Sequence, residues 1–197
     1  FNEATVIEDT ITQILKSLDS VEIILVDDNS TDGTFEIVNN MHNPNVKTYS
    51  RKTRGLASAF LLGLINSSSN TVGWLDSNMG SLANKLPEML SKLNTHDIVL
   101  LSRYIDGGKD DRNAIRVLAS KLINGLARFV LRSKIQDLSS GIFVMKRKVL
   151  LDVVPIASGH GEFMVEFLHK AEISGNKIVE VPYTHPVDIE GNSKSFP

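Results

Sequence analysis

The run Val21-Glu22-Ile23-Ile24-Leu25-Val26 ends on two adjacent carboxylates, Asp27 and Asp28, and passes at once into Asn29-Ser30-Thr31-Asp32-Gly33-Thr34. An apolar run this short fits a buried parallel strand, and a Ser/Thr/Asp cluster after it fits a helix N-cap. In an open α/β sheet the carboxyl end of such a strand is where ligands bind. A strand end has no structural need of paired acids. Two carboxylates there can accept hydrogen bonds from sugar hydroxyls or base N–H groups, or help hold a divalent cation.

The rest of the chain repeats the pattern. Apolar spacing predicts a helix over 4–18 and a strand over 21–28, then a helix capped by Ser30 or Thr31, with Asp32 in its first turn, running to about Asn40. A strand at 46–50, a helix at 56–66 and a strand at 71–76 follow, and the last again ends on an acid, Asp76. Beyond it come a helix at 86–93, a strand at 97–102, a long helix at 114–131, a strand at 142–145, a helix at 163–174 and a strand at 177–181. The segment 105–112 holds two glycines, three acids and two bases. So polar a composition predicts a mobile loop that closes over a ligand. Strands alternating with helices mean βαβ units and a mainly parallel sheet flanked by helices. A length of 197 residues suits one domain. The sequence opens directly before a helix, whereas a doubly wound sheet starts with a strand, so a first strand is expected upstream of Phe1.

Composition removes several classes. Without cysteine there is no disulfide framework or thiolate metal site, and the five histidines lack zinc-site spacing. No apolar run reaches the ~18 residues of a membrane span, and no signal peptide opens the chain. No Gly-x-Gly-x-x-Gly follows a strand, which disfavours a dinucleotide-binding oxidoreductase. No nucleic-acid partner is expected. The net charge of −2 is unevenly spread: between Arg103 and Lys148 there are 11 Lys/Arg against 4 Asp/Glu. That surplus suggests an anionic partner, a phosphate or an acidic membrane surface.

Several separated motifs agree in order: Phe1-Asn2-Glu3, Val26 to Thr34, Arg54-Gly55-Leu56-Ala57-Ser58-Ala59, Asp76, Ser102-Arg103-Tyr104 with Gly107-Gly108, and Asp137 with Ser140-Gly141. This ordered set resembles the family 2 glycosyltransferases, and within them the dolichyl-phosphate mannose synthases and related polyprenyl-phosphate glycosyltransferases. Glu180-Val181-Pro182 and Gly191-Asn192-Ser193-Lys194 are similar to the end of their catalytic domain. The resemblance implies a single GT-A (Rossmann-like) catalytic domain over residues 1–197, with any membrane segment lying outside it. It also implies inverting transfer of a hexose, mannose or glucose, from a GDP- or UDP-linked donor to a dolichyl or polyprenyl phosphate at the cytoplasmic face of a membrane.

Roles follow from the same resemblance. Glu3, Asp27, Asp28, Arg54, Asp76, Ser77, Asn78 and Arg103 would bind the nucleotide-sugar. Asp76 and Asn78 would hold Mg²⁺ or Mn²⁺, because a departing nucleoside diphosphate is stabilised by a cation held on hard oxygen ligands. Arg103, whose guanidinium fork suits phosphate, joins Asp76 and Asp137 in the catalytic set. Arg116, Lys121 and Lys194 would cradle the acceptor phosphate. A lipid phosphate is already largely ionised near neutral pH, so Asp137 becomes a general base only if the acceptor is a hydroxyl. Four positions depart from the family pattern: Asn78 replaces a second acid, Gly80 a glutamine, and Phe143 and Asp188 each an arginine.

Other readings make distinct demands. A receiver domain shares the acidic pair and a later aspartate, but does not require the chain that continues past Asp76. A transferase acting on a sugar hydroxyl would use Asp137 as a base. A nucleotide-sugar-binding module with weakened catalysis would explain the four departures. Trp74 reads as core, given its apolar neighbours.

Overall fold

A computed structural model describes residues 1–155 and 162–187. The elements in order are α1 (Ile7–Ser17), β1 (Ile23–Asp27), α2 (Thr34–Asn40), β2 (Val46–Ser50), α3 (Leu56–Asn66), β3 (Thr71–Trp74), a 3-10 turn (Gly80–Lys85), α4 (Leu86–Lys92), β4 (Ile98–Ser102) and β5 (Lys109–Asp110). They continue with α5 (Ala114–Leu131), β6 (Phe143–Lys146), a 3-10 turn (Arg147–Leu151), α6 (Glu162–Ile173), β7 (Ile178–Pro182) and β8 (Thr184–His185).

Strand β4 shows how the sequence builds the layers. All five of its residues are buried, and successive side chains point to opposite faces. Ile98 and Leu100 join Phe60, Phe143, Phe163 and Phe167 on the side of α3 and α6. Val99 and Leu101 join Leu82, Met89, Val144 and Tyr183 on the side of α4. The sheet runs β3-β6-β4-β7, with helices on both faces. A smaller cluster of Ile7, Ile11 and Val38 packs α1 and α2 against Leu25 and Val46, on the parallel β1·β2 pair.

Pairs β1·β2, β4·β7 and β5·β8 are parallel, while β6 runs antiparallel to both β3 and β4. Among the described residues three of the five strand pairs are parallel across the three sheets, and the four-stranded sheet itself is mixed, with β4·β7 parallel and the two pairs of β6 antiparallel. Two local expectations need correction. Gly33, in the left-handed region at φ 91°, precedes α2 with no side-chain cap. Neither Ser30 nor Thr31 caps that helix, because Ser30 bonds back to Asp27, and Asp32 lies before the helix, where it accepts from Thr34 N. Second, the polar segment after β4 is not all loop: β5 pairs with β8, and Asp110 accepts from Tyr104 Oη at 3.0 Å and from Arg112 Nη2 at 2.7 Å. Composition marks such a segment as loop because it cannot show that its charges satisfy one another.

Much of the basic surplus is also spent inside the fold. Lys146 and Lys148 pair with Asp97 at 3.2 and 2.9 Å, and Arg147 donates to the carbonyls of Ser69 and Ser67. Burial alone would raise the Asp97 carboxyl, but the Lys177 N–H and the two lysines outweigh it and hold its pKa at about 2. A depressed carboxylate stabilises the fold above its unfolded pKa of about 3.9, and that contribution is lost as pH falls toward 2. Asp97→Asn should therefore cost up to about 2 kcal/mol at neutral pH and flatten the acid limb of the stability curve below about pH 4. Urea titrations at pH 7 and pH 3 check this; equal losses at both would contradict it.

Candidate active site

The carboxyl end of β1 is organised by its own acids. Asp27 is 2% exposed and accepts from Ser30 N at 2.9 Å and from the Ser30 hydroxyl. Asp28 turns the other way and takes the Arg51 guanidinium through both oxygens, together with Gly55 N at 2.9 Å. The adjacent carboxylates are thus not one diacid site, for each ties down a different loop. The first residues lie over the β1–α2 loop: Asn2 N donates to Ser30 Oγ, Glu3 N to Thr34 Oγ1 and Ala4 N to Asp32 Oδ2. Arg54 stacks over the Phe1 ring at 3.6 Å. Glu3, Asp27, Asp28 and Arg54 therefore surround a single loop system at the end of β1.

Asp76 follows β3 by two residues. Its Oδ1 accepts from the Trp74 indole N–H at 2.9 Å, and that indole packs edge-on against Phe60 at 5.1 Å. Trp74 packs partly buried against the core and also orients the acid. Burial pushes the Asp76 carboxyl up, while the charge of His185 pulls it back. Ser77 O accepts from the Thr10 hydroxyl at 2.6 Å, which joins this loop to α1, and Asn78 is exposed. A Cβ at Gly80 would lie 2.7 Å from the Thr10 backbone. No side chain fits there, so the missing glutamine is a consequence of how closely α1 packs. Phe143 is also accounted for: it is 1% exposed and stacks edge-on with Phe60. Asp188 and Lys194 lie outside the described residues.

Arg103 and Asp137 form a buried hub, 6% and 0% exposed. Arg103 Nε and Nη2 each donate at 2.7 Å to the two Asp137 oxygens, and Arg103 N donates to Oδ2 at 3.0 Å. The Ser139 hydroxyl donates to Oδ1 at 3.1 Å. Burial would lower the guanidinium's pKa, but the hydrogen bonds and charge of Asp137 outweigh it and raise it. Asp137 has its backbone N–H held by Glu180 Oε1 at 3.0 Å, beside Gln136 N on Oε2 at 2.8 Å. Gly108 has no room for a side chain, since a Cβ there would meet the Arg103 carbonyl at 2.8 Å.

Asp76 and Arg103 follow the carboxyl ends of β3 and β4, and Asp137 lies ahead of β6, which pairs with both, so the three stand along one edge of the sheet. A Cβ on Gly141 would stand 3.9 Å from Asp76 Oδ2. Burial lowers the pKa of His185, on β8. Beside the hub lies a cavity of about 480 Å³ walled by Arg103, Tyr104, Lys121, Asn124, Arg128 and Gln136. Arg128 Nε is buried there without a hydrogen-bond partner. Lys121 is on the cavity wall and Arg116 is exposed on the same helix, α5.

Sequence reasoning missed Arg51, His185, Glu180 as an anchor, and Arg128 as a cavity residue. Arg51 carried a signal, standing one residue past β2, level with the acids that end β1, and Glu180 carried one as part of the Glu180-Val181-Pro182 motif. Among the described residues no three acidic, His or Cys side chains gather as a metal cluster. The donor set still fits a divalent cation of the kind that takes one or two carboxylates and completes its shell with substrate phosphate and water. Asp76 is a desolvated carboxylate with no Lys or Arg among the groups shifting it.

Comparison with known proteins places the chain in a family. The profile of Glycosyl transferase family 2 matches residues 1–154. The chain is 31% identical to a dolichol-phosphate mannosyltransferase of Pyrococcus furiosus, over 98% of this chain and 56% of that protein. It is 31% identical to the dolichol-phosphate mannosyltransferase of Saccharomyces cerevisiae, over 88% of this chain and 68% of that one. With an undecaprenyl-phosphate mannosyltransferase of Micrococcus luteus the identity is 26%, over 98% and 84%. The chain thus spans little more than half of the Pyrococcus protein. Among solved structures, glucosyl-3-phosphoglycerate synthase from Mycobacterium tuberculosis with UDP superposes with a TM-score of 0.74 at 20% identity, covering 96% of this chain and 69% of that one. The same enzyme with Mn²⁺ and UDP-glucose gives 0.69 at 20%, over 93% and 66%. At such identity the structural likeness carries the GT-A fold alone, and it is the profile match together with the sequence identities that place the chain: it belongs to glycosyl transferase family 2.

Proposed function

We propose that this domain transfers a hexose, mannose or glucose, from a GDP- or UDP-linked donor to a dolichyl or polyprenyl phosphate at the cytoplasmic face of a membrane. The observation that carries this reading is the state of Asp137. Both of its oxygens are taken, and it is 0% exposed, so it has no free position from which to accept a hydroxyl proton. The cavity beside it is walled by Lys121 and by Arg128, whose Nε has no partner. An acceptor that arrives as an anion suits both facts. Its phosphate oxygen attacks the anomeric carbon with inversion while the bond to the nucleoside diphosphate breaks, and the electron pair leaves with the diphosphate. No proton need be removed from an oxygen that is already ionised.

Asp76, helped by Asn78, would hold Mg²⁺ or Mn²⁺, which offsets charge on the departing diphosphate. Glu3, Asp27, Asp28, Arg54 and Ser77 would shape the nucleotide side, with Arg51 fixing Asp28. Arg103 would act chiefly by holding Asp137 and the wall of the acceptor cavity, and Arg116, Lys121 and Lys194 would meet the acceptor phosphate.

The test is a transfer assay with GDP-mannose and UDP-glucose, Mn²⁺, and either a short-chain polyprenyl phosphate or a free sugar as acceptor. Lys121→Gln should lower transfer to polyprenyl phosphate by roughly 10-fold or more, as loss of one charge-assisted phosphate contact implies. Transfer to a free sugar at a rate matching the lipid phosphate would refute the reading.

A further inference from the structure

One of the two oxygens of Asp76 is already committed. Oδ1 accepts from the Trp74 indole N–H at 2.9 Å, and among the described residues that indole is the one hydrogen-bond donor to the carboxylate. Oδ2 lies toward Gly141, where a Cβ would stand 3.9 Å from it. The indole is fixed by its own surroundings. Trp74 is the last residue of β3, opposite Phe143 of β6 in the antiparallel register. Its ring meets Phe60 of α3 edge-on, with the planes at 86° and the centroids 5.1 Å apart. A side chain held by strand register and by ring packing cannot follow Asp76, so Asp76 follows it. An indole N–H can only donate, and any carbonyl oxygen would satisfy it. Here its acceptor is the acid at the end of the strand.

We propose that Trp74 is the positioning residue of the cation site: by holding Oδ1 it leaves Oδ2 as the single carboxylate oxygen offered to a divalent cation, which therefore binds together with the donor diphosphate and not ahead of it. The inference rests on the reading of Asp76 as a ligand and deepens it. Groups behind a metal ligand set its orientation, and their loss typically costs about 10–100-fold in affinity. The count of ligands agrees. Mg²⁺ takes an octahedron of oxygens. Asp76 supplies one, the exposed Asn78 amide at most another, and among the described residues no cluster of three acidic, His or Cys side chains is present to add more. The remainder comes from water and from phosphate, and only phosphate brings charge. A site so built holds a cation weakly alone and tightly with a nucleoside diphosphate. By linkage the diphosphate gains the same factor from the cation.

Trp74 is the only tryptophan of the 197 residues, so the chain has a single indole N–H resonance, and it reports directly on Oδ1. Two measurements on the whole chain test the proposal: Mn²⁺ binding by electron paramagnetic resonance, with and without GDP or UDP, and the indole resonance by nitrogen-edited NMR with Mg²⁺ and the same nucleotides. Wild type should bind Mn²⁺ at least about 10-fold more tightly with one of the nucleotides than without. Its indole resonance should shift when Mg²⁺ and that nucleotide are added together, and stay in place with the same Mg²⁺ alone. Trp74→Phe keeps a ring against Phe60 but has no N–H, and should lose roughly 10-fold in nucleotide-dependent Mn²⁺ affinity. Asp76→Ala should lose that binding altogether. If Trp74→Phe binds Mn²⁺ as tightly as wild type while Asp76→Ala does not bind it, the role of Trp74 is overturned and Asp76 remains a ligand. Equal Mn²⁺ affinity with and without both nucleotides overturns joint binding. If Asp76→Ala binds Mn²⁺ and nucleotide like wild type, the reading of Asp76 itself falls and the positioning role falls with it. Should Trp74→Phe fail to fold, the wild-type resonance decides alone: no shift with Mg²⁺ and nucleotide together overturns the proposal.

Discussion

Asp76→Ala should abolish cation-dependent donor binding and reduce sugar transfer by about 10³-fold or more, because charge stabilisation by a bound cation is worth several kcal/mol and each 1.4 kcal/mol is a factor of ten. Asp76 stands in a desolvated site that raises its pKa, oriented by the Trp74 N–H at 2.9 Å. A carboxylate so placed is costly to keep ionised alone and gains most from a cation. In a thermal-shift panel, wild type with Mn²⁺ and donor at 100 times Kd should gain about 2.7 kcal/mol, and Asp76→Ala should show none of it. Asn78 is exposed, so Asn78→Asp can add the second charge without disturbing the core and should tighten cation dependence. If a chelator leaves donor affinity unchanged, Asp76 has another role. If the donor is bound but neither transferred nor hydrolysed, even by Asn78→Asp, the domain is a binding module.

The sequence made the strand ends legible because strand and cap chemistry are local. The run 21–28, the buried strand at 97–102 and the acid at Asp76 all depend on neighbours a few residues away. The direction of β6 was not legible: the run from Ile142 to Met145 is equally apolar whichever way it pairs, and only its register against β3 and β4 shows it antiparallel. The same limit applies to charge. Arg103, Arg112, Lys146 and Lys148 read as one basic surface, yet each has a carboxylate partner in the fold. Gly80 reads as a lost ligand until Thr10, 70 positions upstream, is seen against it. Helix α5 displays an apolar arc with basic borders in its sequence, but an apolar arc is also what a core-facing helix displays, and here it is exposed. Which way the arc faces was decided by Asn124 and Ser139, a contact across 15 residues.

Asp137→Ala should destabilise the domain by about 3–5 kcal/mol, since removing one partner of a buried ion pair strands the other charge. The cation left behind is Arg103, 6% exposed, whose Nε and Nη2 both rely on Asp137 and whose remaining carboxylate, Asp110, stands 3.7 Å from Nη1. For a domain with about 5–15 kcal/mol of total stability, such a loss can leave the chain largely unfolded. Arg103→Lys should also be costly, because an ammonium cannot reproduce the two-pronged fork. Replacing both partners, Arg103→Met with Asp137→Leu, should recover most of the stability, as apolar substitution of a buried pair often does. Recovery of folding in the double variant would show that the loss in Asp137→Ala comes from the unpaired buried charge. The contrast with general-base chemistry is sharp, because a base is dispensable for folding. Urea midpoints for Asp137→Asn decide between them: a wild-type midpoint with transfer lost would make Asp137 a base, and point to a hydroxyl acceptor in place of a lipid phosphate.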